Sequence, residues 1–213
     1  LNDPAGVRTR LPMLKRLKAD GLNSFSVWDP EVDPMPDAYP VFLRPRAAHR
    51  GALTDLLATP EAAQDALDGL IAAGHCRSDL MFVEYRSEPV EDGLFRKLAA
   101  YCVGDRIVTG MSVHDTDWHA KYGTEGAASE ALYREERDAV EENRYAAPLA
   151  RYFQAAGIAF GRADFTLVNG NIEVYEINTN PNNSRILDHP FAMRVDTDVL
   201  FHQRLAEALQ AVD

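Results

Sequence analysis

Cysteine is scarce in this chain: Cys76 and Cys102 are the only two in 213 residues, far apart and in apolar settings. They form no CxxC pair and no metal-ligand spacing. A disulfide-stapled scaffold and a zinc finger are excluded, and a reduced, cytoplasmic location is expected. Positive charge is also short. Lys and Arg number 22 against 33 Asp and Glu, a formal net charge of −11. That excludes a protein whose main work is gripping a phosphate backbone, though not a small basic pocket inside an acidic shell. Charges interrupt every apolar stretch well before the length of a bilayer, so no membrane span is expected. The signatures GxGxxG, the Walker GxxxxGK and GxSxG are missing, and His114 and His119 lack the Glu and spacing of HExxH. The opening Leu1-Asn2-Asp3-Pro4 has no initiator Met, basic stretch or signal-peptide core, which reads as a segment of a longer polypeptide.

What remains is an ordinary globular balance, 46% hydrophobic and 26% charged, enough for one domain or two small ones with an apolar core. Leu11, Leu14 and Leu17 recur at helical spacing between Thr9 and Asp20, and Gly21 ends that helix. Residues 29–40 carry four prolines and four acids and read as a connector. A buried strand over Tyr39–Arg44 and a polar turn over Pro45–Gly51 follow. Thr59-Pro60 caps a helix that runs to Ala73, with Gly74 past its end. Asp79–Tyr85 reads as a short apolar strand, and Leu98–Val108 as strand, Gly104-Asp105 turn, strand. Ser112–Ser129 is a long polar loop. Ser129–Ala156 is helical, with Pro148 expected to kink or divide it. Asn169-Gly170 joins two strands, Arg162–Val168 and Asn171–Asn178, with a strong hairpin signal. An amphipathic helix over Thr197–Val212 closes the chain. This order predicts an α+β fold with mixed or antiparallel pairing.

The hairpin carries the most chemistry. Strand alternation puts Arg162 and Asp164 on one face of its first strand, and Glu176 and Asn178 on one face of its second. If those faces coincide, two carboxylates and an amide oxygen meet there. Such a cluster raises its own pKa values unless a cation relieves it, and hard oxygen donors suit Mg2+. Arg162 would then clamp a phosphate or a developing anion. Spacing alone fits a solvated outer face equally well.

The run GRADF, a hairpin and EVYEINTNPN resemble the metal-binding hairpin of the ATP-grasp superfamily, which includes D-alanine–D-alanine ligases, glutathione synthetases and ribosomal-protein glutamate ligases. The resemblance implies two small α+β subdomains clasping a nucleotide between their sheets. Here they would be residues 1–86, a helix and a lid-like subdomain ending in a hinge strand, and residues 87–213, a larger subdomain with the hairpin. It implies that Asp164, Glu176 and Asn178 hold two Mg2+ ions against ATP, and that Arg162 stabilises an acyl-phosphate or tetrahedral intermediate. Arg44 ends the strand that in the family ends in a phosphate-binding Lys, and RAAHRG replaces the family's Gly-rich loop. Backbone groups at Phe82 and Val83 would read the adenine edge, with Glu84 or a neighbouring acid on the ribose hydroxyls. Arg96 and Lys97 face opposite ways on a strand, and Lys97 is the one expected at the phosphates. Lys121, in the polar loop, would cover the triphosphate.

The reaction implied is ATP-dependent activation of a carboxylate as an acyl phosphate for attack by an amine or thiol, releasing ADP and phosphate. Small-molecule or peptide carboxylates and amines are the expected partners, with no nucleic acid and no membrane. The resemblance also implies a further N-terminal domain, expected either upstream in a longer protein or lost from a shortened pattern. Two alternatives keep the hairpin: a phosphotransferase on the same fold, and a non-catalytic ATP-binding or interaction module, to which the missing glycines point.

Overall fold

Residues 1–47 and 51–212 are described by the structure, a computed structural model; Ala48, His49 and Arg50 of the expected polar turn lie outside them. The chain forms two compact units. One comprises Arg8–Ser87 with Val168–Glu173; the other comprises Leu1–Val7, Glu88–Leu167 and Val174–Asp213.

In the first unit, helix α1 (Arg10–Ala19) buries Leu11, Met13, Leu14 and Leu17. A three-stranded antiparallel sheet follows, built from β1 (Val27–Trp28), β2 (Val41–Pro45) and β3 (Leu80–Glu84), with β3 in the middle. Helix α2 (Pro60–Ala72) starts as its sequence dictates: Thr59 Oγ1 accepts from Ala62 N at 3.2 Å, and Pro60 takes the first helical position, where no N–H is needed. Its Ala63 and Leu67 pack on Trp28, Val41, Leu43, Leu80 and Phe82 of the sheet. The acidic connector has no regular element. Asp29 and Asp33 hold its first turn, with Asp29 N donating to Asp33 Oδ2 at 2.7 Å and Glu31 N to Asp29 Oδ1 at 2.9 Å. At the hairpin tip, the buried Glu173 carboxylate accepts from Ser24 N at 2.8 Å.

The second unit is a six-stranded antiparallel sheet. Strands run in the order β4 (Pro89–Glu91), β5 (Leu94–Val103), β8 (Phe160–Val168), β9 (Asn171–Asn178), while β6 (Arg106–Thr109) and β7 (Val113–Asp115) pair with different stretches of β5. Helices α3 (Glu130–Glu141), α4 (Ala146–Ala156) and α5 (Ala192–Gln210) complete it. Tyr101, Val103, Val108, Val140, Phe201 and Leu205 form one core, and Phe165 stacks edge-on against Tyr145 at 5.0 Å.

Three expectations are corrected here. The long helix is divided at Asn143, not at Pro148. Asn143 adopts φ 52°, its Nδ2 donates to Ile107 O and its Oδ1 accepts from Thr109 N. Pro148 then falls in the first turn of α4, where the missing N–H costs no helical hydrogen bond. The polar loop contains strand β7, whose Val113, His114 and Asp115 pair with Lys97, Arg96 and Phe95. Helix α5 begins five residues before Thr197, at Ala192. Among the described residues no helix is long and apolar enough to cross a membrane.

Candidate active site

The hairpin turn closes as its sequence demands: Asn169 and Gly170 both take positive φ, 50° and 76°, the conformation of a type I′ turn. Upstream on β8, Arg162 and Asp164 lie opposite Tyr101 and Ala99 of β5, so Lys97, two residues on, shares their face. Asp164 is 6% exposed. Its two oxygens accept from Arg162 Nε at 2.7 Å and Nη2 at 3.1 Å, and Lys97 Nζ stands 3.9 Å from Oδ2. The third Arg162 nitrogen, Nη1, donates to Asn182 O at 3.2 Å, and Tyr101 OH donates to the same oxygen at 3.3 Å. Burial works against the Arg162 charge, but Asp164 outweighs it and raises the guanidinium pKa above its already high value. Burial likewise raises the Tyr101 phenol, with Arg162 opposing.

Gly161 explains how β9 presents its acids. A Cβ at Gly161 would lie 3.2 Å from Ile177 Cγ2 and 2.9 Å from Asn178 O. Ile177 is therefore on the side of Gly161, Ala163 and Phe165, and alternation turns Glu176 and Asn178 toward the side of Arg162 and Asp164. Asn178 Oδ1 accepts from Asn180 N at 2.9 Å, which leaves the amide oxygen a second lone pair. Among the described residues no group of three or more His, Cys, Asp and Glu is placed to hold a metal ion. The expected set is different: two carboxylates and an amide. Its donors are hard oxygens, which fits Mg2+, and at Asp164 a cation would share the carboxylate with Arg162.

The remaining expected residues fall in separate places. Arg96 points away from the hairpin face, and its Nη1 reaches Glu135 Oε2 at 2.8 Å. Lys121 lies over the Tyr122 ring at 4.8 Å in a loop organised by Asp115, which accepts from Asp117 N, Thr124 Oγ1 and Gly123 N. Trp118 stacks on His119 at 3.6 Å.

Arg44, Phe82, Val83 and Glu84 belong to the other unit, and all four are buried. Phe82 lies between Trp28 and Leu43, and Val83 between Val27 and Phe42. Pairing on both sides takes up their backbone groups, so this sheet leaves neither available to read a nucleobase. Beyond the ladder, Tyr85 N still donates to Pro40 O at 2.9 Å. Glu84 is also engaged: it accepts from Ser26 N at 2.8 Å and pairs with Arg86 at 3.0 Å.

Sequence reading missed Tyr101 and Asn182, which meet Arg162 at the hairpin face, and the pair of Arg185 with Asp198. Asp198 carried a signal, since it falls on the apolar stripe of α5 with Phe201 and Leu205, and an acid there needs a partner. That partner is Arg185, whose Nε donates to Asp198 Oδ2 at 2.7 Å.

Compared with known proteins, the chain matches no family model and no curated protein sequence. Solved structures do resemble it. The D-alanine–D-alanine ligase from Coxiella burnetii superposes with a TM-score of 0.51 at 14% identity, over 95% of this chain and 59% of that one. An L-amino acid ligase from Bacillus licheniformis gives 0.49 at 14% identity, over 82% and 41%. The Bacillus anthracis D-alanine–D-alanine ligase, in complex with ATP, gives 0.49 at 11% identity, over 93% and 67%. The chain thus spans less than two thirds of the Coxiella and licheniformis enzymes. Its α+β architecture of antiparallel sheets and helices is the fold of ATP-grasp ligase structures.

Proposed function

We propose that this chain is the nucleotide-binding portion of an ATP-dependent ligase, which activates a carboxylate as an acyl phosphate and passes it to an amine. The observation that carries the reading is the pair of Arg162 with buried Asp164 on a hairpin whose second strand turns Glu176 and Asn178 to the same side. Asp164, Glu176 and Asn178 are the residues that would hold Mg2+, which supplies charge neutralisation at the phosphates. Lys97 stands on the same face and adds positive charge there. Lys121 and Arg44 are the other cations assigned to the phosphates. Arg162, planar and permanently charged, is suited to a carboxylate or phosphate oxygen that gains charge during transfer. The amine arrives deprotonated, so the site's task is to align reactants and spread charge.

Thermal unfolding with ATP, with and without Mg2+, and with GTP tests the reading. Ligand at about a hundred times its dissociation constant adds about 2.7 kcal/mol, a rise of a few degrees at this size. A Mg2+-dependent rise with ATP, followed by ADP release with pooled amino acids, is expected. Protection without any ADP release would leave a binding module, and no protection by either nucleotide would remove the nucleotide site altogether.

A further inference from the structure

Two arginines of this unit pair with buried acids, and they are differently employed. Arg162 spends all three nitrogens on the protein, two on Asp164 and one on Asn182 O. Arg185 follows Asn182 by three residues in the irregular segment after β9. Among the described residues its hydrogen bonds are confined to Nε, which donates to Asp198. Asp198 is 1% exposed; its Oδ1 lies 3.3 Å from His202 Nδ1, which is also 2.9 Å from Asp198 O. The Arg185 side chain keeps 43% of its surface open. The Tyr101 hydroxyl bonds Asn182 O, and it feels the charges of Arg162, Asp164 and Asp198.

We propose that Arg185 is a substrate-binding residue that recognises the carboxylate of an amino-acid-like substrate. Anchoring Nε on a buried acid fixes the plane of the guanidinium while leaving its Nη1/Nη2 edge to ligand. That edge presents two parallel donors, the match for the two oxygens of a planar carboxylate. The fixed plane lowers the ordering cost of binding, which a free surface arginine has to meet in full. A pairing of this kind also discriminates: a carboxamide offers one acceptor and one donor, so it leaves an Nη–H facing an N–H. Asp198 is the positioning residue and does not itself touch the ligand. The identity of the ligand as a ligase substrate rests on the function proposed above; the recognition of a carboxylate does not.

The experiment follows the Arg185 15Nε–1Hε resonance of the whole chain, assigned by its loss in Arg185→Gln. Pooled L-amino acids, the matching pooled amino acid amides and inorganic phosphate are titrated separately. A saturable shift with the acids and none with the amides is expected. By isothermal titration, Arg185→Gln should bind the acids at least tenfold more weakly, and Arg185→Lys, which keeps the charge but loses the fork, should fall between. Equal response to acids and amides, stronger binding of phosphate, no saturable shift, or undiminished binding by Arg185→Gln would each overturn the assignment. MgATP protection is measured on the same samples. Protection without carboxylate recognition overturns Arg185 and leaves the ligase reading standing, whereas recognition without protection does the reverse.

Discussion

At the residue scale, the strongest electrostatic commitments of the second unit are buried acids met by arginines, and one buried histidine has none. Asp164 has Arg162, Asp198 has Arg185, and Glu136 takes Ser112 N at 2.6 Å and Arg194 Nε at 3.3 Å. His114 is 4% exposed, sits edge-on to Tyr133 at 5.6 Å, and neither of its ring nitrogens has a hydrogen-bond partner. Burial, reinforced by Arg96 and Arg194, lowers its pKa to about 4. The unfolded chain, with an ordinary value near 6.5, therefore binds more protons between those limits. Stability is undiminished above pH 6.5 or so, falls as the pH drops toward 4, and loses no more from this group below that. The full loss is about 3 kcal/mol. Urea denaturation of His114→Phe at pH 7 and pH 4.5 checks it: the variant should lose markedly less stability than the parent between the two, and an identical loss would place the titration elsewhere. At the pair, Asp164→Asn keeps the shape but removes the charge opposite Arg162, and should cost about 1–3 kcal/mol by the same measurement.

At the scale of elements, what was legible followed local chemistry. Thr59-Pro60 and Asn169-Gly170 specify a cap and a turn through their own backbone preferences, and α2 and the hairpin stand where those signals put them. Elements decided by partners were not legible. β1 has two residues and exists because β3 pairs with it, and β7 lies in a polar loop because the start of β5 has an edge to fill. The hairpin's faces were only half legible. Strict pairing across a two-residue turn places Glu176 opposite Ala163, on the face away from Asp164, whereas the contact of Gly161 with Ile177 puts it on the near face. Gly161 thus has a structural task that GRADF alone does not announce. Gly161→Ala should push its new methyl against Asn178 O, a backbone atom, at a cost of about 1–3 kcal/mol. The variant should also weaken the Mg2+-dependent part of ATP protection, because Asn178 moves with its carbonyl. Thermal scans with and without Mg2+ read both effects, and full Mg2+ dependence would remove Asn178 from the metal set. By contrast, Gly170→Ala, strained at φ 76° with open space around it, should cost about 1 kcal/mol and leave that dependence intact.

At the scale of the molecule, a net charge of −11 sets a polyanionic ligand a problem that the candidate site has to overcome. Free ATP approaching this chain is repelled over a distance comparable with the screening length, about 10 Å at 0.1 M salt. Mg2+ acts on this in two ways. It lowers the charge of the nucleotide at long range, and at the proposed site it would give Asp164, Glu176 and Asn178 a shared cation at short range. Salt separates the two, since it screens the first and acts only weakly on direct ligation inside a partly buried site. Between 0.05 and 0.5 M NaCl the affinity for free ATP should therefore rise or hold, while the gain on adding Mg2+ shrinks to a residue that salt does not remove. Glu176→Gln removes a proposed ligand while changing the net charge by only one. It should abolish that residual gain yet leave the salt response of free ATP nearly unchanged. Isothermal titration of ATP and MgATP into both proteins at the two salt concentrations decides the matter. A Mg2+ gain that vanishes in high salt for the parent chain would make the cation a mere charge carrier on the nucleotide and take the metal site off the hairpin.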